Sequence, residues 1–200
     1  MKVKIIFFDI GGVLFKDIEK YMMRDIAKKY HISYKKTMNI RSKWWKSYAT
    51  KKISEKEYWK GFLKDMGIQE DYRTFLPLPY TKYIKEMPHM KKLLEILAEN
   101  YPLSVLSDHS PEWWAYAKKK FQLQNYFQGY VLSFEHGVLK NKPKLFLKAI
   151  QLAKEKPEEI LFIDNSRKNL LVAKNLGIQT MLFTNPMQLM KELKKRKILV

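Results

Sequence analysis

The sequence predicts an α/β fold: a doubly wound parallel sheet carrying an all-helical insert after its first strand. Two observations carry this. Four short apolar runs are continuous rather than alternating, as in strands covered on both faces: Val3–Phe8, Leu103–Leu106, Ile160–Ile163 and Ile178–Phe183, with a weaker one at Tyr130–Leu132 between the second and third. Helical pattern flanks these runs, and strands alternating with short helices build parallel sheets.

Taken in order, the first run ends at Asp9, an acid followed by Ile10-Gly11-Gly12-Val13. From Asp17 to Tyr83 the pattern is helical throughout. Met22, Ile26 and Tyr30 recur at four-residue spacing, and Ser54-Glu55-Lys56-Glu57 forms a capping box. Tyr58, Trp59, Phe62, Leu63 and Met66 then make an apolar stripe that Gly67 ends. Such a stretch is too long for a plain strand-to-helix loop. The expected division is therefore a core of residues 1–16 and 84–200 with a helical cap at 17–83. Later helix starts are marked by Ser110-Pro111 and Asn185-Pro186, each an N-cap before a first-turn proline.

Composition narrows the class. The chain has 200 residues, 46% of them hydrophobic, which excludes a disordered polymer, and no cysteine, which excludes disulfides and thiolate metal sites. No run reaches the roughly 20 apolar residues that span a bilayer, and the N-terminal run is too short for a signal peptide. A cytoplasmic protein without a membrane partner is expected, as monomer or homodimer. The 39 Lys and Arg against 20 Asp and Glu give a net charge of +19. Such a field favours anionic partners at a distance. The lysines are scattered, however. The blocks Lys118–Lys120 and Lys194–Lys197 lack the interleaved aromatics of a base-stacking platform, so nucleic acid is the less favoured partner.

Ligands of open parallel sheets bind beyond the carboxyl ends of the strands. There the chain places Asp9 and two glycines, then Ser107-Asp108, then Asp164-Asn165-Ser166, with Lys140 and Lys142 in the loop before the helix leading to the third tip. A strand-tip carboxylate can attack or bind a metal, while a hydroxyl and a lysine hold phosphate oxygens. An oxygen-rich set of this kind suits Mg²⁺.

Four segments in this order resemble the haloacid dehalogenase-like hydrolase superfamily, in its phosphatase branch with a small helical cap on a Rossmann-like core. They are Phe7-Phe8-Asp9-Ile10-Gly11-Gly12-Val13-Leu14, Leu106-Ser107, Gly137 to Phe146, and Phe162-Ile163-Asp164-Asn165 through Asn169. The resemblance implies Asp9 as nucleophile, Ser107 and Lys140 as holders of the phosphoryl group, and Gly11, Gly12, Asp108 and Lys142 as substrate contacts. It implies Mg²⁺ on Asp9, the Gly11 carbonyl, Asp164 and Asn165, and a small phosphomonoester as substrate. A gap-free register through Gly137, Pro143 and Phe146 favours Lys140 as the catalytic lysine, whereas the literal Lys-Pro pair would select Lys142.

Three departures bear on activity. Gly11 stands where the family usually has a second aspartate serving as general acid. Asn165 replaces the usual metal-binding aspartate. Asp108 stands where asparagine is common. The rival reading is a weak or inactive relative that binds nucleic acid or an acidic partner. The dehalogenase branch fits less well, because its aromatic residue two places after the nucleophile is missing. Arg41, Lys43, Trp44, Trp45, Trp113, Trp114 and His109 are further candidates around the site.

Overall fold

The computed structural model describes residues 2–198. Five strands form one parallel sheet in the order β3-β2-β1-β4-β5: β1 (Ile5–Phe8), β2 (Leu103–Ser107), β3 (Phe127–Leu132), β4 (Ile160–Asp164) and β5 (Gln179–Leu182). The expected α/β class and parallel sheet are therefore present. β1 is central, flanked by β2 and β4, and each side chain along it alternates between faces. Ile6 and Phe8 join one apolar cluster, Ile5 and Phe7 the other.

The segment between β1 and β2 holds helices only: α1 (Ile18–Lys29), α2 (Tyr34–Tyr48), α3 (Glu55–Met66), two short helical turns, and α4 (Met90–Ala98). The capping box closes at Ser54, where Glu57 donates its backbone N–H to the serine hydroxyl and its carboxylate accepts from the Ser54 N–H. Gly67 ends α3 with φ 74°, a left-handed conformation that only glycine adopts without strain. Met22, Trp45, Tyr48, Tyr58, Trp59 and Phe62 from this segment are buried, and they share one continuous cluster with Ile6 and Phe8 of the sheet and with Trp113 on the helix after β2. Burial of so much aromatic surface fixes α1–α3 over that face; a buried aromatic contributes roughly 1.5–3 kcal/mol or more.

The remaining helices are α5 (Pro111–Lys120), the short α6 (Ser133–His136), α7 (Pro143–Ala153), α8 (Arg167–Asn175) and α9 (Pro186–Lys195). Leu145, Phe146 and Ala149 of α7 and Leu170 and Ala173 of α8 cover the opposite face. At α9 the Asn185 side chain accepts from the Gln188 N–H, as its sequence position suggests. At α5 the Ser110 hydroxyl makes no such cap; proline at the first turn removes one donor there in any case. Among the described residues, no helix is long and apolar enough to cross a membrane.

Candidate active site

The chain runs from β1 outward to β3, then crosses back to β4 on the other side of β1. The crevice at that reversal is where parallel sheets bind ligands. Asp9 follows β1 there, its N–H donating 2.9 Å to the Ile163 carbonyl of β4. Ser107 ends β2 and Asp164 ends β4, so three adjacent strand tips converge.

Lys140 joins them. Its ammonium, 2% exposed, lies 2.6 Å from Asp9 Oδ1 and 2.8 Å from Asp164 Oδ2. Ser107 Oγ donates to the same Asp9 Oδ1 at 2.8 Å. Both contacts fall on one oxygen, and Asp9 Oδ2 has no partner among the described residues. Asp164, fully buried, is committed on both oxygens: Oδ1 accepts from Ser166 N–H at 2.6 Å, Oδ2 from Lys140 and from Asn169 Nδ2 at 3.0 Å. It anchors the lysine.

The electrostatics follow from burial. Loss of water pushes the Asp9 carboxyl up to about 7, against the pull of Lys140. Burial alone would depress the Lys140 ammonium; Asp164, Asp9 and Asp108 around it prevail and hold it above its ordinary value. Asp108 is likewise raised by burial, although its Oδ1 accepts the Lys140 backbone N–H at 2.8 Å.

A cleft of about 420 Å³ opens over Asp9, bordered by Gly11, Asp108, Lys140 and Asn165 from the sheet side and by Asp17, Glu19, Arg41 and Trp45 from α1 and α2. Gly12 sits beneath it with φ 78°, and a Cβ there would stand 2.1 Å from Asn165 Nδ2, so glycine is required for Asn165 to lie against the turn. Ser107 is buried behind Asp9 rather than on the cleft wall. Lys142 is not brought to the site: it is exposed, at the start of α7, outside the cleft. The lysine beside Asp9 is the one selected by the gap-free register.

Of the aromatic candidates, Trp45 and Trp113 border the cleft. Trp44 instead packs on Gly61 and donates to Asp65, which Lys43 also contacts. Trp114 packs inward against His109 and Tyr130. Arg41 pairs with Glu19 and stacks over Trp45 at 4.6 Å; burial depresses its guanidinium to about 10, still cationic at neutral pH. Asp17 and Glu19 were not legible as site residues. The one signal was Asp17's position before an apolar-periodic run, where it caps α1 by accepting from Lys20 N–H at 3.0 Å.

His109 is 4% exposed, with Nδ1 3.2 Å from the Ser110 carbonyl. A carbonyl only accepts, so Nδ1 carries the proton of a neutral ring. Burial pushes its pKa down to about 4 from 6.5. Between those values the unfolded chain binds the extra proton, so stability falls as pH drops from 6.5 through 4, by about 3 kcal/mol in full. Denaturant unfolding at pH 7 and pH 4.5 should show a loss in the parent exceeding that in His109→Gln by about 2 kcal/mol. Equal losses would remove His109 as the acid-sensitive group.

Among the described residues, no three His, Cys, Asp or Glu side chains gather as a metal site. The donors available for Mg²⁺ are the Asp9 carboxylate, through the oxygen not used for attack, the Gly11 carbonyl and the Asn165 amide oxygen. All are oxygens, which fits Mg²⁺ in kind, with only one charged donor among them.

An acid, a hydroxyl and an ammonium converging at the switch point of a parallel sheet mark a hydrolytic enzyme of the α/β class. The chain belongs to the haloacid dehalogenase-like hydrolase family, whose model matches residues 3–177. A glyceraldehyde 3-phosphate phosphatase from Pyrococcus furiosus is 31% identical over 105 residues, 50% of this chain and 43% of that protein. The match thus spans less than half the length of that relative. Among solved structures, the HAD family enzyme BT-2542 from Bacteroides thetaiotaomicron superposes with a TM-score of 0.74 at 23% identity, covering 93% of this chain and 96% of that one. An aspartate-to-alanine variant of the same enzyme, solved with magnesium and inorganic phosphate, gives 0.74 at 24%, covering 92% and 95%. These likenesses carry the fold.

Proposed function

We propose that the protein is a Mg²⁺-dependent phosphatase acting on a small phosphomonoester, with residues 17–83 as a cap over the site. The observation that carries this reading is Asp9. One oxygen is pinned by Ser107 and Lys140, and the other is without a partner at a cleft of substrate size. Held this way, the carboxylate is oriented for attack on phosphorus, which converts a bimolecular step into a positioned one. Asp9 Oδ2 forms the bond to phosphorus as the bond to the leaving oxygen breaks, and water then releases phosphate from the aspartyl group. Lys140 and Ser107 fix the attacking carboxylate, and the lysine charge offsets that of the phosphoryl oxygens. Asp164 positions Lys140. Mg²⁺ held by Asp9, the Gly11 carbonyl and Asn165 would supply further neutralisation of the phosphoryl charge. The likeness to a glyceraldehyde 3-phosphate phosphatase and the magnesium and phosphate in BT-2542 support the same class.

The test is release of p-nitrophenol from p-nitrophenyl phosphate, an ester whose leaving group needs no acid. Turnover should appear with Mg²⁺ and collapse with chelator. Because Asn165 brings no charge, half-saturation should need Mg²⁺ at concentrations that Asn165→Asp lowers. Turnover indifferent to chelation would remove the metal from this reading.

A further inference from the structure

An alkyl phosphate releases its oxygen readily only if that oxygen is protonated as it departs, because a bare alkoxide is too basic to leave. The water that later frees Asp9 must in turn lose a proton. One carboxyl at the cleft can serve both events.

Asp108 stands where such a group is needed. β2 ends at Ser107, which is buried against Asp9, and the next residue comes out, half-buried, onto the cleft wall. Its carboxylate is held at one end and free at the other. Oδ1 accepts the Lys140 backbone N–H at 2.8 Å, and Oδ2 has no partner among the described residues. The neighbouring cations are engaged elsewhere: the Lys140 ammonium by Asp9 and Asp164, the Arg41 guanidinium by Glu19. A carboxyl oriented through one oxygen and open at the other is built for proton transfer. Burial raises this carboxyl above its ordinary value against the pull of Lys140 and Arg41, and Asp164 adds to the rise.

The other candidate groups are placed differently. Asp164 is committed on both oxygens, Glu19 is paired with Arg41, and Asp17 lies on the cap side with one oxygen capping α1. The ring proton of His109 faces the Ser110 carbonyl.

We propose that Asp108 is the general acid and base of the reaction, giving a proton from Oδ2 to the leaving oxygen and later taking one from the attacking water. This rests on the phosphatase reading above. Asp9 Oδ2 bonds to phosphorus as the ester phosphorus–oxygen bond breaks. The electron pair goes to the departing oxygen, which takes the Asp108 proton and leaves as an alcohol. Asp108 is then a carboxylate whose Oδ1 still accepts from Lys140 N–H. In the second step its Oδ2 takes a proton from water as the water oxygen bonds to phosphorus and the bond from phosphorus to Asp9 breaks. Phosphate departs, Asp9 is again a carboxylate and Asp108 again an acid.

The experiment compares p-nitrophenyl phosphate, phenyl phosphate and glycerol 3-phosphate in Mg²⁺, for the parent, Asp108→Asn and Asp108→Ala. The asparagine amide oxygen can still accept the Lys140 N–H, so that variant should melt with the parent. Both variants should lose about 10²-fold or more in kcat/KM on glycerol 3-phosphate, less on phenyl phosphate, and only a few-fold on p-nitrophenyl phosphate. The two aryl esters are bound alike, so a difference between them reports proton donation rather than binding. On p-nitrophenyl phosphate kcat should fall although kcat/KM holds, because only kcat includes release from Asp9. Acid quench should then find phosphate accumulated on the variants. An equal fall in kcat/KM on all three esters would make Asp108 a binding contact and overturn the proposal. A raised Mg²⁺ requirement in Asp108→Asn would do the same by making it a metal ligand. So would an alkyl-selective loss in Asp17→Asn, which moves the acid to the cap, or a parent that turns over p-nitrophenyl phosphate alone, which has no acid. Absence of Asp9-dependent turnover on every ester would remove the phosphatase reading itself.

Discussion

Asp9→Asn should lower turnover of p-nitrophenyl phosphate by on the order of 10³-fold or more, to the level of a protein without a nucleophile. The amide keeps the shape of the side chain and still accepts from Ser107 Oγ, which lies 2.8 Å from Oδ1 in the parent. Lys140 keeps Asp164 at 2.8 Å. The fold should therefore survive, and because burial already pushes the Asp9 carboxyl up to about 7, a neutral isostere there is well tolerated. What disappears is the oxygen that can bond to phosphorus. Brief reaction with labelled substrate, followed by acid quench, should leave phosphate on the parent and none on the variant. A variant that melts with the parent but keeps its turnover would move the nucleophile to another residue.

The strands were readable because a parallel sheet covered on both faces needs continuous apolar runs, and four such runs and a weaker fifth are present. Their edges were less so. β1 begins at Ile5 rather than Val3, after the exposed Lys4, whose ammonium turns out to Glu155 and Glu159. β3 begins at Phe127, three residues before the apolar run, because the exposed Gln128 and the side-chain-less Gly129 interrupt its pattern while a register shift at Leu103 and Ser104 still lets it pair.

The strand-tip groups Asp9, Ser107 and Asp164 were legible because each follows from where a strand must end, whereas Lys140 was separated from Lys142 only by the register of the family resemblance. The opposite wall was not legible. Arg41 could be suspected, but its pairing with Glu19 and the approach of Asp17 depend on how α1 and α2 pack over the sheet, which no local pattern encodes. Glu55 shows the same limit. Its sequence position reads as part of a capping box, yet its carboxylate accepts from Trp113 Nε1 at 2.9 Å and Tyr80 at 2.8 Å, tying α3 to α5.

Lys140→Met tests the charge arrangement on which the site depends. The parent buries one ammonium between two carboxylates, 2.6 and 2.8 Å away. Removing only the cation leaves both acids without their counter-charge, and breaking a buried pair from one side costs about 3–5 kcal/mol. Turnover should be lost as well, since nothing then holds Asp9 or offsets the phosphoryl charge. The stability loss has a definite pH dependence. In the parent Asp9 titrates at about 7, and without Lys140 it moves higher still, whereas in the unfolded chain an aspartate titrates near 3.9. A carboxyl raised on folding favours the folded state below its unfolded value, and that advantage is lost as pH rises through the folded one. The penalty in Lys140→Met should thus be largest at pH 8 and shrink on acidification toward pH 5. Lys140 also helps to hold the His109 pKa down, so the two proteins are compared in a His109→Gln background, which removes that contribution from the difference. Adding Asp9→Asn to Lys140→Met should restore part of the stability at pH 8 and little at pH 5, because it removes one of the two stranded charges. If the loss were the same at both pH values, methionine would be failing in packing rather than in charge, and Lys140 would be no more than a space-filling side chain.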